Sequence, residues 1–141
     1  MSHTVQQVQA DAVREPANAT WSNALLIGNE VVMSGMTAHP ATQQDPALDC
    51  YAQTLIVLGK IRALVEAAGG HVGTIYRLTV YLTDIADKDQ VGRARRDFFA
   101  GQALLPTSTL VEVSGLVFPT LRVEIEAAAR LDIDLRTAPK R

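Results

Sequence analysis

The clearest periodic signal along the chain is a run of apolar positions at helical spacing. Leu48, Tyr51, Leu55, Leu58, Ile61 or Arg62, Val65 and Ala68 recur every three or four residues, which predicts a helix over 46–68. Asp45 followed by Pro46 supplies an N-cap and a pre-set first turn, and Gly69-Gly70 supplies the stop. Upstream, Ala24–Ile27 and Glu30–Ser34 are short β-type runs joined by Gly28-Asn29, a pair suited to a tight hairpin. Downstream, Tyr76, Leu78, Val80 and Leu82 alternate with more polar residues, the period of a strand with one buried face. A second helix follows, opened by Asp87 with Gln90 as a capping box, carrying Val91, Ala94 and Phe98 inward and ending at Gly101. Thr109–Val113 and Leu121–Ala129 complete the pattern as strands.

The order β-β-α-β-α-β-β predicts an α+β fold, a mixed sheet with two helices on one face, in a single domain spanning 1–141. Residues 1–18 lack periodicity and read as an N-terminal arm, and 132–141 read as a C-terminal tail. Two helices leave the second face of the sheet uncovered. That face is expected to pack against further copies of the chain, so a homo-oligomer is expected.

Composition narrows the partners. The formal charge of -2 on 141 residues gives no overall basic field, which argues against nucleic acid. Cys50 is the only cysteine, so no internal disulfide exists, and a reducing, cytoplasmic setting is expected. The first fifteen residues hold no apolar run of signal-peptide or membrane-helix length, so no membrane partner is expected either.

Chemistry is sparse at the level of motifs. His3, His39 and His71 have no ligand spacing, and neither a metal nor any other cofactor is expected. The nucleophile elbow, the phosphate-binding loop and the dinucleotide fingerprint are all missing. Cys50 falls in the helical pattern without a neighbouring cation and reads as a small buried hydrophobe. Arg93, Arg95 and Arg96 form a basic cluster, suited either to an anion or, as we rank first, to a solvated face paired with Asp87, Asp89 and Asp97. Glu124 and Glu126 share one face of the last strand with Arg122, while Val123, Ile125 and Ala127 point the other way. Spacing alone leaves a paired-carboxylate site and a plain charged strand face both open.

Several short segments, in this order, carry a resemblance. They are Ser34-Gly35, Val65-Glu66-Ala67-Ala68-Gly69, Asp97-Phe98-Phe99, Pro106 to Val113, and Val123-Glu124-Ile125-Glu126-Ala127. Over roughly residues 19–130 the chain resembles the Rid proteins, the reactive intermediate deaminases also called endoribonuclease L-PSP or translation inhibitors. The resemblance implies a chorismate-mutase-like fold and a homotrimer with a central barrel and clefts between subunits. It also implies a small-molecule ligand there, held by an arginine of a Pro-Ala-Arg-Ser segment while a glutamate of the last strand positions water. Carried onto this chain, the glutamate is Glu124, and Trp21, Gly35, Arg95, Ser108 and Leu110 are expected to line the cleft.

The same comparison exposes departures. The segment reads Pro106-Thr107-Ser108-Thr109, so Ser108 stands where the family carries its clamp arginine. A hydroxyl gives one hydrogen bond in place of a charged bidentate pair, a loss on the order of 2–5 kcal/mol where the partner charge is buried. Trp21 replaces a tyrosine, Gly92 and Arg95 replace Asn and Tyr, and the segment before Pro106 is one residue shorter. Ranked first on these grounds is a trimer that binds or converts a small metabolite other than the usual 2-imino acid. Next comes imine or enamine deamination with Arg95 or Arg122 as a relocated clamp. Last is a chaperone-like or RNA-cleaving module, for which no proton-transferring His pair is present.

Overall fold

The computed structural model describes residues 4–141. It contains a six-stranded sheet in the order β1-β2-β3-β6-β4-β5. The strands are β1 (Val5–Val8), β2 (Ala24–Ile27), β3 (Glu30–Met36), β4 (Ile75–Leu82), β5 (Thr107–Glu112) and β6 (Val123–Arg130). Only the β4–β5 pair is parallel, because α3 (Lys88–Phe98) crosses between them. Two further helices, α1 (Ala41–Gln44) and α2 (Cys50–Ala67), lie between β3 and β4.

The mixed α+β architecture expected from the pattern is present, and α2 packs on β3, β6 and α3. Leu58, Ile61 and Leu64 of α2 are fully buried beside Leu78, Val80 and Ile125 of the sheet. Each such side chain contributes about 1.5–3 kcal/mol by leaving water. Gly69 ends the helix with φ +98°, a conformation that residues with a Cβ rarely adopt.

Three local expectations need correction. The N-terminal arm, expected to be ordered only by packing on something else, packs on the chain's own sheet as a strand that the pattern did not predict: Val5–Val8 pairs antiparallel with β2 at the edge, and Val8 and Val13 are buried. Polar Gln6 and Gln7 hide the strand from an alternation test, as edge strands often do. His3 lies outside the described residues. The long helix starts at Cys50, not Pro46, since Asp45 closes a turn onto Ala47 N at 3.1 Å while Asp49 caps Ala52 N at 2.8 Å. Its buried stripe is also rotated, running through Cys50, Gln53, Thr54, Val57, Leu58, Ile61, Leu64 and Val65 rather than Tyr51 and Leu55.

Gln53 explains that rotation. Its amide donates to the carbonyls of Leu48 and Thr120 and accepts from Arg122 N, fastening the helix to the entry of β6. The C-terminal tail is fastened too, with Leu135 N bonded to Gly73 O and Leu104 N to Leu135 O. Cys50 is buried as expected, and burial pushes its thiol up to about 11.

Register divides the sheet into two faces. Leu78 and Val80 of β4 face the helices, and their partners across the parallel ladder are Ser108 and Leu110. Thr79 and Tyr81 face the other way, level with Glu126 and Glu124. This outer face carries Val32 and Val111, both exposed, with the more polar Thr79, Tyr81 and Glu126 between them. Among the described residues, no helix is long and apolar enough to cross a membrane.

Candidate functional site

Glu124 projects from the outer face of β6, where a bulge in β3 between Met33 and Met36 brings Gly35 against it. A Cβ on Gly35 would lie 2.9 Å from the Glu124 carboxyl carbon and from one of its oxygens. Glycine at this position is what lets the carboxylate lie flat on the neighbouring strand. No hydrogen bond to that carboxylate is made by any described residue. Burial, and next the charge of Glu126, push its pKa above the ordinary 4.5. Glu126 itself accepts a 2.7 Å bond from Tyr81 Oη, so the two carboxylates of the strand differ: one is engaged and one is open.

A cavity of about 590 Å³ surrounds Glu124, with Trp21, Gly35, His39, Lys60 and Phe118 in its wall. Lys60 extends from α2 and donates to the carbonyls of Thr37 at 2.7 Å and His39 at 2.6 Å, fixing the loop after β3. Its partial burial lowers its pKa. The His39 ring stacks on Phe118 with centroids 4.4 Å apart, and its buried Nδ1 has no partner. Among the described residues no set of three or more His, Cys, Asp or Glu side chains is placed to hold a metal.

Arg95 and Ser108 belong to another place. Arg95, on α3, reaches across to β5 and donates to Ser108 Oγ at 2.6 Å. Together with Leu78, Phe99 and Pro106 they line a crevice of about 280 Å³ on the helix side of the sheet. Arg95 forms no ion pair with a described carboxylate, and partial burial lowers its pKa. Leu110 lies two residues along the same face as Ser108, packed on the core, and lines neither cavity.

Of the sequence-derived residues, Trp21, Gly35 and Glu124 therefore come together in one cavity, and Arg95 and Ser108 in another. The expected meeting of Ser108 with Glu124 does not occur within one chain, because the two side chains leave opposite faces of the sheet. Arg122 is also removed from the candidates for a relocated clamp. Its guanidinium is held by both oxygens of the buried Asp87, at 2.8 to 3.1 Å. Asp87 consequently does not cap α3 with its side chain; Asp84 caps the preceding turn. Nor is the arginine cluster a face of local ion pairs: Arg93 lies over the Tyr51 ring at 4.3 Å, and neither it nor Arg96 is bridged to an acid among the described residues.

Lys60, His39 and Phe118 were missed from sequence. Lys60 had a signal: it lies three residues after Val57 and four before Leu64, inside the inward stripe of α2. His39 and Phe118 sit in loops, where no periodicity points inward.

The family model described as Endoribonuclease L-PSP matches residues 12–131. A protein of Escherichia coli strain K12 named 2-iminobutanoate/2-iminopropanoate deaminase is 34% identical over 131 residues, covering 92% of this chain and 98% of that protein. A crystal structure of a protein of unknown function from Pseudomonas aeruginosa superposes with a TM-score of 0.95 at 62% identity, covering 97% and 99% of the two chains. The E. coli TdcF protein with bound serine superposes with a TM-score of 0.78 at 28% identity, covering 89% and 98%. Sequence and fold agree, and the chain belongs to the reactive intermediate deaminase (Rid) family, the endoribonuclease L-PSP proteins.

Proposed function

We propose that the protein acts as a homotrimer that binds and hydrolyses a small anionic imine or enamine in clefts between subunits. In each cleft, Arg95 of one copy holds the anionic group and Glu124 of the next positions water. The observation that carries this reading is the 2.6 Å bond from Arg95 to Ser108 Oγ. It delivers a guanidinium without a carboxylate partner to the position where the family's clamp arginine is replaced. Since Glu124 and Ser108 leave opposite faces of one sheet, only a second copy can bring the two groups to one ligand. The exposed edge of β5, next to Ser108, is the natural seat for that copy.

The chemistry follows from the two environments. The open Glu124 carboxylate accepts a proton from water as the oxygen attacks the imine carbon, and the C=N π electrons move to nitrogen. Protonation of that nitrogen and collapse of the carbinolamine break the C–N bond, leaving a carbonyl product and ammonia. A carboxylate whose pKa is raised by burial is a stronger base for this step. Arg95, tethered to a serine, makes fewer bonds to a carboxylate than an arginine at position 108 would, so the ligand preference differs from that of the relatives named above. Trp21 and Gly35 shape the water-positioning side, and Ser108 orients Arg95.

The test is to generate imines in the assay with an amino-acid oxidase and follow their decay to the 2-keto acid. Decay faster than in buffer, abolished by Glu124→Gln, supports the reading. Decay at the buffer rate for all imines tried overturns it.

A further inference from the structure

The Glu124 cavity is larger than a short imino acid needs, and beside polar Arg14, His39 and Lys60 its wall carries large apolar side chains. Trp21 is 51% exposed, Val117 71% and Phe118 38%, and all three border the cavity. A whole aromatic side chain buries roughly 150–250 Å², so the exposed parts of Trp21 and Phe118 still offer a substantial area that favours leaving water.

These surfaces are also held in place. Trp21 Nε1 donates to Asn23 Oδ1 at 3.1 Å, and Asn23, itself buried, is fixed by Val13 O and by Glu15. On the opposite wall, His39 stacks on Phe118 while Lys60 grips the His39 carbonyl. Aromatic side chains held in place before any ligand arrives lose little side-chain entropy on binding. Its volume of about 590 Å³ falls within the range of small-molecule sites, roughly 300–1,000 Å³.

We propose that this wall selects the substituent of the ligand, so that the cleft prefers carboxylates and imines bearing an aromatic or bulky apolar group over those bearing a methyl or ethyl. For the reacting imine the proposal rests on the hydrolase reading above; the binding preference stands without it. A methyl group leaves the wall in water, whereas a phenyl group covers part of it beside the Glu124 carboxylate.

Trp21 is the single tryptophan of the chain, so its fluorescence reports on the cavity directly. Full-length protein is titrated with 3-phenylpropionate and with propionate, and the decay of the imines of phenylalanine and alanine is followed in parallel. The phenyl compound should bind at least ~10-fold more tightly, and its imine should be favoured by a similar factor in kcat/KM. Phe118→Ala should bring both ratios towards one, with Phe118→Leu intermediate and confirming that the substituted chain folds. Equal affinities, or no fluorescence response to either acid because a second copy covers the wall, overturn the proposal, and hydrolysis of the alanine imine then leaves the hydrolase reading standing. Selective binding of 3-phenylpropionate without acceleration of either imine keeps the preference and removes the hydrolase reading.

Discussion

The two cavities of this chain are built on opposite physical terms. The Glu124 cavity on the outer face is wide, walled by rings, and holds a carboxylate that accepts no bond from the described residues. The Arg95 crevice on the helix face is narrow and holds a guanidinium tied to a serine, with no acid among the described residues paired to it. In the proposed reading each supplies one part of a hydrolytic site, Glu124 the base and Arg95 the anion clamp, from opposite faces of the sheet. On that reading the site is complete only between copies, and a serine at position 108 still presents a positive charge through Arg95.

The largest effect falls on the carboxylate side. Glu124→Gln keeps the shape and removes the base, so kcat should drop by about 10²–10⁴-fold with the melting temperature nearly unchanged; a loss below about threefold would return Glu124 to a plain strand-face charge. On the other side, Arg95→Ala should cost roughly 10–100-fold in kcat/KM, expressed mainly in KM, as expected for a charged hydrogen bond. Arg95→Ala combined with Ser108→Arg should recover much of that loss, since a guanidinium is then supplied from the position that Arg95 now reaches. Recovery by Ser108→Arg alone, with Arg95 irrelevant, would break the assignment.

Arg122 sharpens the contrast between a positioned and an available arginine. Arg122→Ala should leave kcat/KM within about twofold while destabilising the fold by roughly 1–2 kcal/mol, because its partly exposed guanidinium holds the buried Asp87. That corresponds to a melting-temperature drop of about 3–8 °C by calorimetry. The smallest effect is on pH. Burial and then Glu126 raise the Glu124 pKa, so activity should fall as pH drops through a limb above 4.5, and Glu126→Gln should move that limb to lower pH. A limb shifted upward in Glu126→Gln would contradict the cause given.

Much of the fold was legible because its elements announce themselves by period. β4 alternates cleanly, α2 carries a long apolar stripe, and Gly69 marks where it ends. β1 was not, since Val5 and Val8 flank two glutamines in an edge strand that needs little burial. The stripe of α2 was read a little off its true direction because Gln53 and Thr54, though polar, are buried and satisfied by backbone partners. The residues of the candidate site were named from motif order, but their division between two faces depends on strand register. Ser108 pairs with Leu78 across a parallel ladder, and nothing local in Pro106–Val113 states which face that is. Lys60 was hidden for a similar reason: its charge suggests solvent, while its place in the stripe turns it towards the loop carbonyls.

The central claim, that Arg95 and Glu124 act together from different copies, is tested most directly by mixing two disabled chains. Arg95→Ala and Glu124→Gln proteins are unfolded together in equal amounts and refolded, and imine decay is compared with each variant refolded alone. Random assembly into a closed ring gives an intact Arg95 facing an intact Glu124 in about one cleft in four, so about a quarter of wild-type activity should return. A mixture no more active than the average of the two variants would place both residues in one copy's site and contradict the account.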